Sequence, residues 1–86
     1  MAILGTIIIE KTGSINIRPT EVIGDIIIDG DYLQLRTYAA GDVTRENGSK
    51  QNIQFTREKA VEFREILDRF IKGNWSYYLT FPNFVE

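Results

Sequence analysis

Residues 32–55, "YLQLRTYAAGDVTRENGSKQNIQF", decide the fold. In an extended strand, successive side chains point to opposite sides. Leu33 and Leu35 then share one side of the first run, while Tyr32, Gln34, Arg36 and Tyr38 share the other. In the last run Ile53 and Phe55 oppose Asn52, Gln54 and Thr56. Two half-buried strands joined by a polar, glycine-containing loop predict an antiparallel pair with one apolar and one polar face.

Upstream, Asp29-Gly30 is a dipeptide that tight hairpins favour, which makes "EVIGDIIID", residues 21–29, a further strand. Gly24 inside it marks a bulge or a close approach. "ILGTIIIEK", residues 3–11, is rich in β-branched residues, and "SINIR", residues 14–18, alternates with Ile15 and Ile17 on one side. Thr12-Gly13 turns between these runs and Pro19 stops the second. If Ile15 and Ile17 join the core, Ser14, Asn16 and Arg18 join the polar face.

Downstream, Thr56 stands where an N-cap belongs, and the pattern turns helical from Arg57 to Lys72, with Gly73 as the terminating residue. Ala60, Phe63, Ile66, Leu67, Phe70 and Ile71 fall within an arc of roughly 140°. One edge of so broad an arc is expected to cover the sheet and the other to meet a partner; a thoroughly buried monomeric helix is the alternative. The tail "NWSYYLTFPNFVE" concentrates aromatic rings, as a further strand or as an arm across a neighbouring subunit. The expected fold is α+β in a single domain, residues 1–86. An antiparallel sheet of four to five strands (about 3–11, 14–18, 21–29, 32–39 and 51–56) precedes one amphipathic C-terminal helix (57–72) and an aromatic-rich tail (73–86).

Eighty-six residues allow one domain, near the lower limit for a core without staples. Cysteine and histidine are both absent, which removes disulfides, the usual zinc ligands, thiol nucleophiles and the common neutral-pH base. No enzyme, no catalytic residue, no cofactor and no metal are expected. Asp25, Asp29 and Asp31 lie close in sequence, but their spacing does not match a calcium loop. Small domains often complete their cores by pairing, so a homodimer is expected. The N-terminal apolar run is too short to span a bilayer and no basic residue precedes it, so no membrane association and a cytoplasmic location are expected.

The polar face has the ingredients of a single-stranded nucleic-acid surface: rings for stacking, amides for base edges and arginines or lysines for phosphates. The formal net charge of −2 means that any such binding must come from a local basic stripe. Two alternatives compete. One is an ordinary solvated face, and the other is a protein-interaction or assembly module that uses the same face and the aromatic tail.

Residues 31–70 resemble the C-terminal domain of the positive-cofactor-four-type transcriptional coactivators. The likeness is carried by the strand "YLQLRTY", a charged loop ending in Lys50, the strand "NIQF" and a helix opening after Thr56. "AVEFREILDRFI", residues 60–71, is similar to the helix of the purine-rich-element-binding (Pur) repeat. These families and the Whirly proteins share a curved antiparallel sheet followed by a helix, and their dimers form largely through the helices. The resemblance implies DNA or RNA binding, with Arg36 and Tyr38 on the nucleic-acid surface and Lys50 as a phosphate contact. Tyr32, Gln34 and Gln54 follow from strand alternation, and Lys11, Arg18 and Arg45 would complete the basic stripe. It also implies a dimer interface that includes Phe63, Ile66, Leu67, Phe70 and Ile71, to which the tail would add Trp75. The coactivators commonly carry a tryptophan after the tyrosine of this strand, where this chain has Ala39.

Overall fold

The structure, a computed structural model, describes residues 1–73. Its strands are β1 (Ala2–Ile3), β2 (Gly24–Asp29), β3 (Tyr32–Thr37) and β4 (Gln51–Thr56), followed by the helix α1 (Arg57–Lys72). The sheet order is β1-β4-β3-β2. β2, β3 and β4 form an antiparallel meander, while β1 runs parallel to β4. The class is α+β as expected, with a mixed sheet where an antiparallel one was predicted.

The β2–β3 hairpin closes on a two-residue loop, Gly30-Asp31, with Asp29 paired to Tyr32. Gly30 has φ 61°, a left-handed value that glycine adopts without a Cβ clash. A positive φ at the first loop residue alone is the type II′ pattern, whose twist suits a hairpin. Gly24 forms no bulge, since it pairs in register with Thr37, and a Cβ there would make ordinary contact with the carbonyl oxygen of Arg36 at 3.4 Å.

Strand 51–56 and helix 57–72 occur where the sequence places them. The Thr56 side chain accepts a hydrogen bond from the Lys59 N–H at 3.2 Å and caps the helix. Gly73, at φ 77°, donates to the carbonyls of Arg69 and Phe70 and ends it.

The N-terminal expectation is corrected. Strand 3–11 shrinks to Ala2–Ile3, and residues 14–18 form no strand. The third strand begins at Gly24 rather than at residue 21, and the fourth ends at Thr37 rather than at residue 39. After Leu4 donates to the Gln54 carbonyl, the chain leaves the sheet and returns only at Ile23, whose carbonyl accepts from Tyr38. β-branched composition favours a pleated conformation but cannot supply the neighbouring strand that the ladder requires. Pro19 and Gly13, the latter at φ 129°, confine SINIR to a short run.

Helix α1 packs against β4 on the sheet side that carries Leu33, Leu35, Ile53 and Phe55. Phe55 is 7% exposed and stacks on Phe63 with ring centroids 5.6 Å apart. The helix does not reach across to β2, whose Ile26 and Ile28 stand exposed on the same side. Of the expected interface residues, Ile66 is half-buried, while Phe63, Leu67, Phe70 and Ile71 are exposed on the single chain. Trp75 and the rest of the tail lie outside the described residues. Among the described residues no helix is long and apolar enough to cross a membrane.

Removal of a buried ring leaves a cavity, so Phe55→Ala is expected to lower stability by about 3–5 kcal/mol in urea unfolding. Phe70, 71% exposed, is not core; at concentrations where the chain is monomeric, Phe70→Ala is expected to stay within about 0.5 kcal/mol of the parent.

Candidate nucleic-acid interface

The face opposite the helix is built by the strand register. Residues paired across neighbouring strands point to the same side. One row across this open face is therefore Asp25, Arg36 and Asn52; the next is Ile27, Gln34, Gln54 and Ile3; the third is Asp29, Tyr32 and Thr56. The expected company of Tyr32, Gln34, Arg36 and Gln54 on one face is present.

The first row holds a clasp centred on Asp25. Its carboxylate accepts from Arg36 Nε at 2.8 Å and Arg36 Nη2 at 2.7 Å, a bidentate pair. The same carboxylate accepts from the Tyr38 hydroxyl at 2.8 Å and from Arg45 Nη1 at 2.7 Å. The Arg36 guanidinium also lies 5.8 Å from the centre of the Tyr38 ring. Hydrogen bonds from Arg36 above all, joined by those of Tyr38 and Arg45, hold the Asp25 carboxyl far below the usual carboxylate range against an opposing desolvation. Asp25 in turn raises Arg36, and burial raises the Tyr38 hydroxyl.

A second carboxylate shapes the loop that delivers Arg45. Asp42 is buried and accepts from the backbone N–H groups of Glu46 at 3.1 Å and Asn47 at 3.2 Å. Arg45, at φ 62°, adopts a left-handed conformation that few non-glycine residues take, and its own N–H donates to the Asp42 carbonyl. The ion pair with Asp25 holds the side chain of a residue whose backbone is unfavourable.

These contacts revise the expected roles. Tyr38 is 5% exposed, so its ring offers no free stacking surface. Arg36 and Arg45 are on the expected side of the structure, but both are engaged by Asp25. Two guanidinium groups meet one carboxylate in the clasp, and Asp42 and Glu46 of the same loop balance the charge that Arg45 and Lys50 bring to this end. Lys50 is exposed at the same end, its backbone N–H bonded to the Thr37 carbonyl. Lys11 and Arg18 do not join: no strand 14–18 exists to place Arg18 in a row beside Arg36, and Lys11 lies on the same exposed stretch.

The second and third rows form an open depression of about 480 Å³, lined by Ile3, Ile27, Asp29, Tyr32, Gln34 and Gln54. Gln54 Nε2 donates to Gln34 Oε1 at 2.7 Å, and the Met1 sulfur lies 3.3 Å from the same nitrogen. The Gln34 amino group and the Gln54 carbonyl oxygen remain available, a donor and an acceptor side by side. Tyr32 stands 50% exposed at the rim. Ile3 and Ile27 were absent from the expected site because the first is set by a parallel pairing and the second by a fully apolar run. Among the described residues no group of three or more carboxylates gathers as a metal site, and Asp31 pairs instead with Arg57.

Compared with protein-family models, with curated proteins and with solved structures, the chain matches none.

Because the folded Asp25 carboxyl titrates below its unfolded value of about 4, its contribution is present above that pH and is lost as the pH falls further. Urea midpoints of the parent are therefore expected to drop between about pH 4 and pH 2.5. Asp25→Asn is expected to show a lower midpoint at neutral pH and a flatter acid limb.

Proposed function

We propose that this chain is a non-catalytic module that binds unpaired DNA or RNA strands on the open face of its sheet and works as a dimer. The observation that carries this is the polarity of that face. Tyr32 and the Gln34–Gln54 amides surround a depression at one end, and the two arginines of the Asp25 clasp, with Lys50, stand at the other. The rows of Tyr32 and Arg36 are four residues apart, about 13 Å along the strand, room for a few stacked nucleotides. Bases suit the depression because it offers a ring face, apolar flanks and one free donor beside one free acceptor. The resemblance of residues 31–70 to the coactivator domain points the same way.

Few phosphates can be neutralised here, so affinity would come mainly from bases. The exposed apolar residues of α1, Phe63, Leu67, Phe70 and Ile71, support association through the helix side, opposite the binding face. A second reading, an extended protein segment in the same depression, is favoured by Asp29, whose carboxylate lines it and would repel a phosphate.

Titration of fluorescent oligo-dT at low salt tests the first reading. Binding is expected, with log K falling against log salt no more steeply than about −1.5, as for two phosphate contacts. Tyr32→Ala is expected to weaken it by about 1–3 kcal/mol without changing that slope. Lys50→Ala is expected to reduce the slope by about 0.7. Absence of binding by folded protein at low salt removes the nucleic-acid reading and leaves the protein segment.

A further inference from the structure

The stretch between β1 and β2 stands apart from the sheet. No backbone hydrogen bond ties residues 5–22 to another described residue, and residues 10–22 are exposed throughout. A connection this long with no structure of its own is uncommon in a small domain and calls for a physical role. Its composition is not that of a solvated linker. Ile15 and Ile17 are each 81% exposed, and they alternate with Ser14, Asn16 and Arg18, the pattern of a half-buried strand.

An acceptor stands open at the β2 edge of the sheet. β2 is the last strand of the sheet, and among the described residues nothing pairs with its outer edge. Natural edges are usually guarded by proline, lysine or a bulge. "GDIIID" has no proline, lysine or bulge and pairs in unbroken register with β3; its charges, Asp25 and Asp29, both lie on the open face, which leaves Ile26 and Ile28 bare on the helix side.

We infer that residues 14–18 of one copy add as a strand to the outer edge of β2 in a second copy, reciprocally. Three matches support a second copy as the occupant. On the helix side, Ile15 and Ile17 would lie beside Ile26 and Ile28, which α1 leaves exposed. On the open side, Ser14, Asn16 and Arg18 would lie beside Asp25, Ile27 and Asp29, so a cation meets the acidic edge of the face. The added strand ends at Pro19, which cannot donate to a ladder and so terminates it. The same face assignment holds in both copies, which makes the contact self-complementary, as a two-fold dimer requires. The strand addition does not depend on what the open face binds, although it would bring Arg18 onto that face.

Sedimentation equilibrium of the whole chain tests this, with hydrogen exchange of the amides of residues 14–18. A dimer with those amides protected is expected. Ile15→Lys with Ile17→Lys, and separately Ile28→Lys, alter side chains already exposed on the single chain, so folding by far-UV circular dichroism is expected to persist. Each is expected to weaken dimerisation about tenfold or more and to expose the amides. Phe70→Lys on the helix is expected to leave the amides protected. Three outcomes overturn the strand addition: a monomeric parent, amides of residues 14–18 unprotected in the parent, or an assembly state and amide protection that both sets of lysines leave unchanged while Phe70→Lys abolishes the assembly. The last would leave the helix interface standing. Loss of oligo-dT binding with the dimer intact would count against the nucleic-acid reading alone.

Discussion

The carboxylate of Asp25 is the constraint around which the open face is arranged. One side chain on β2 gathers donors from β3, from the end of that strand and from the long loop, so three separate stretches are fixed at a single point. A half-exposed ion pair is ordinarily a weak contributor, because water competes with both partners. Here the arrangement is bidentate, shared and joined by a buried hydroxyl, and that is why it organises backbone as well as charge. The loop is shaped as well by the turn around Asp42 and by the bond of the Lys50 N–H to the Thr37 carbonyl.

The clasp also explains why the two faces of the sheet differ in kind. On the helix side, stability comes from apolar burial under Phe55 and Phe63, and it is incomplete because the helix stops short of β2. On the open side, cohesion is polar, through Asp25 at one end and the paired glutamines in the middle. The polar clasp and the helix-covered apolar side therefore lie on opposite surfaces of the sheet.

Much of this was legible in the sequence wherever a rule is local. Thr56 and Gly73 bounded the helix because caps act within one turn, and alternation assigned the two faces of β3 and β4 because the side-chain period is fixed. Non-local pairings were harder. The expected strands at 3–11 and 14–18 rested on β-branched content, which says nothing about whether a partner edge is within reach. Arg36 and Tyr38 were placed on the correct face, yet their availability depended on Asp25, which had been weighed only as a metal candidate. The hairpin offered the missing signal: once Asp29 faces Tyr32, Asp25 must face Arg36.

The two ends of the sheet are unlike, and this shapes how far an assembly could extend. β1 contributes only Ala2–Ile3, too brief a rim to template a long neighbour, whereas the β2 rim runs the full length of its hairpin. Among the described residues β2 is the one long open rim, and the reciprocal pairing inferred above would seal it in each molecule. Sealing that rim would stop growth from strand to strand along the sheet, a form of self-limitation written into the length of a two-residue strand.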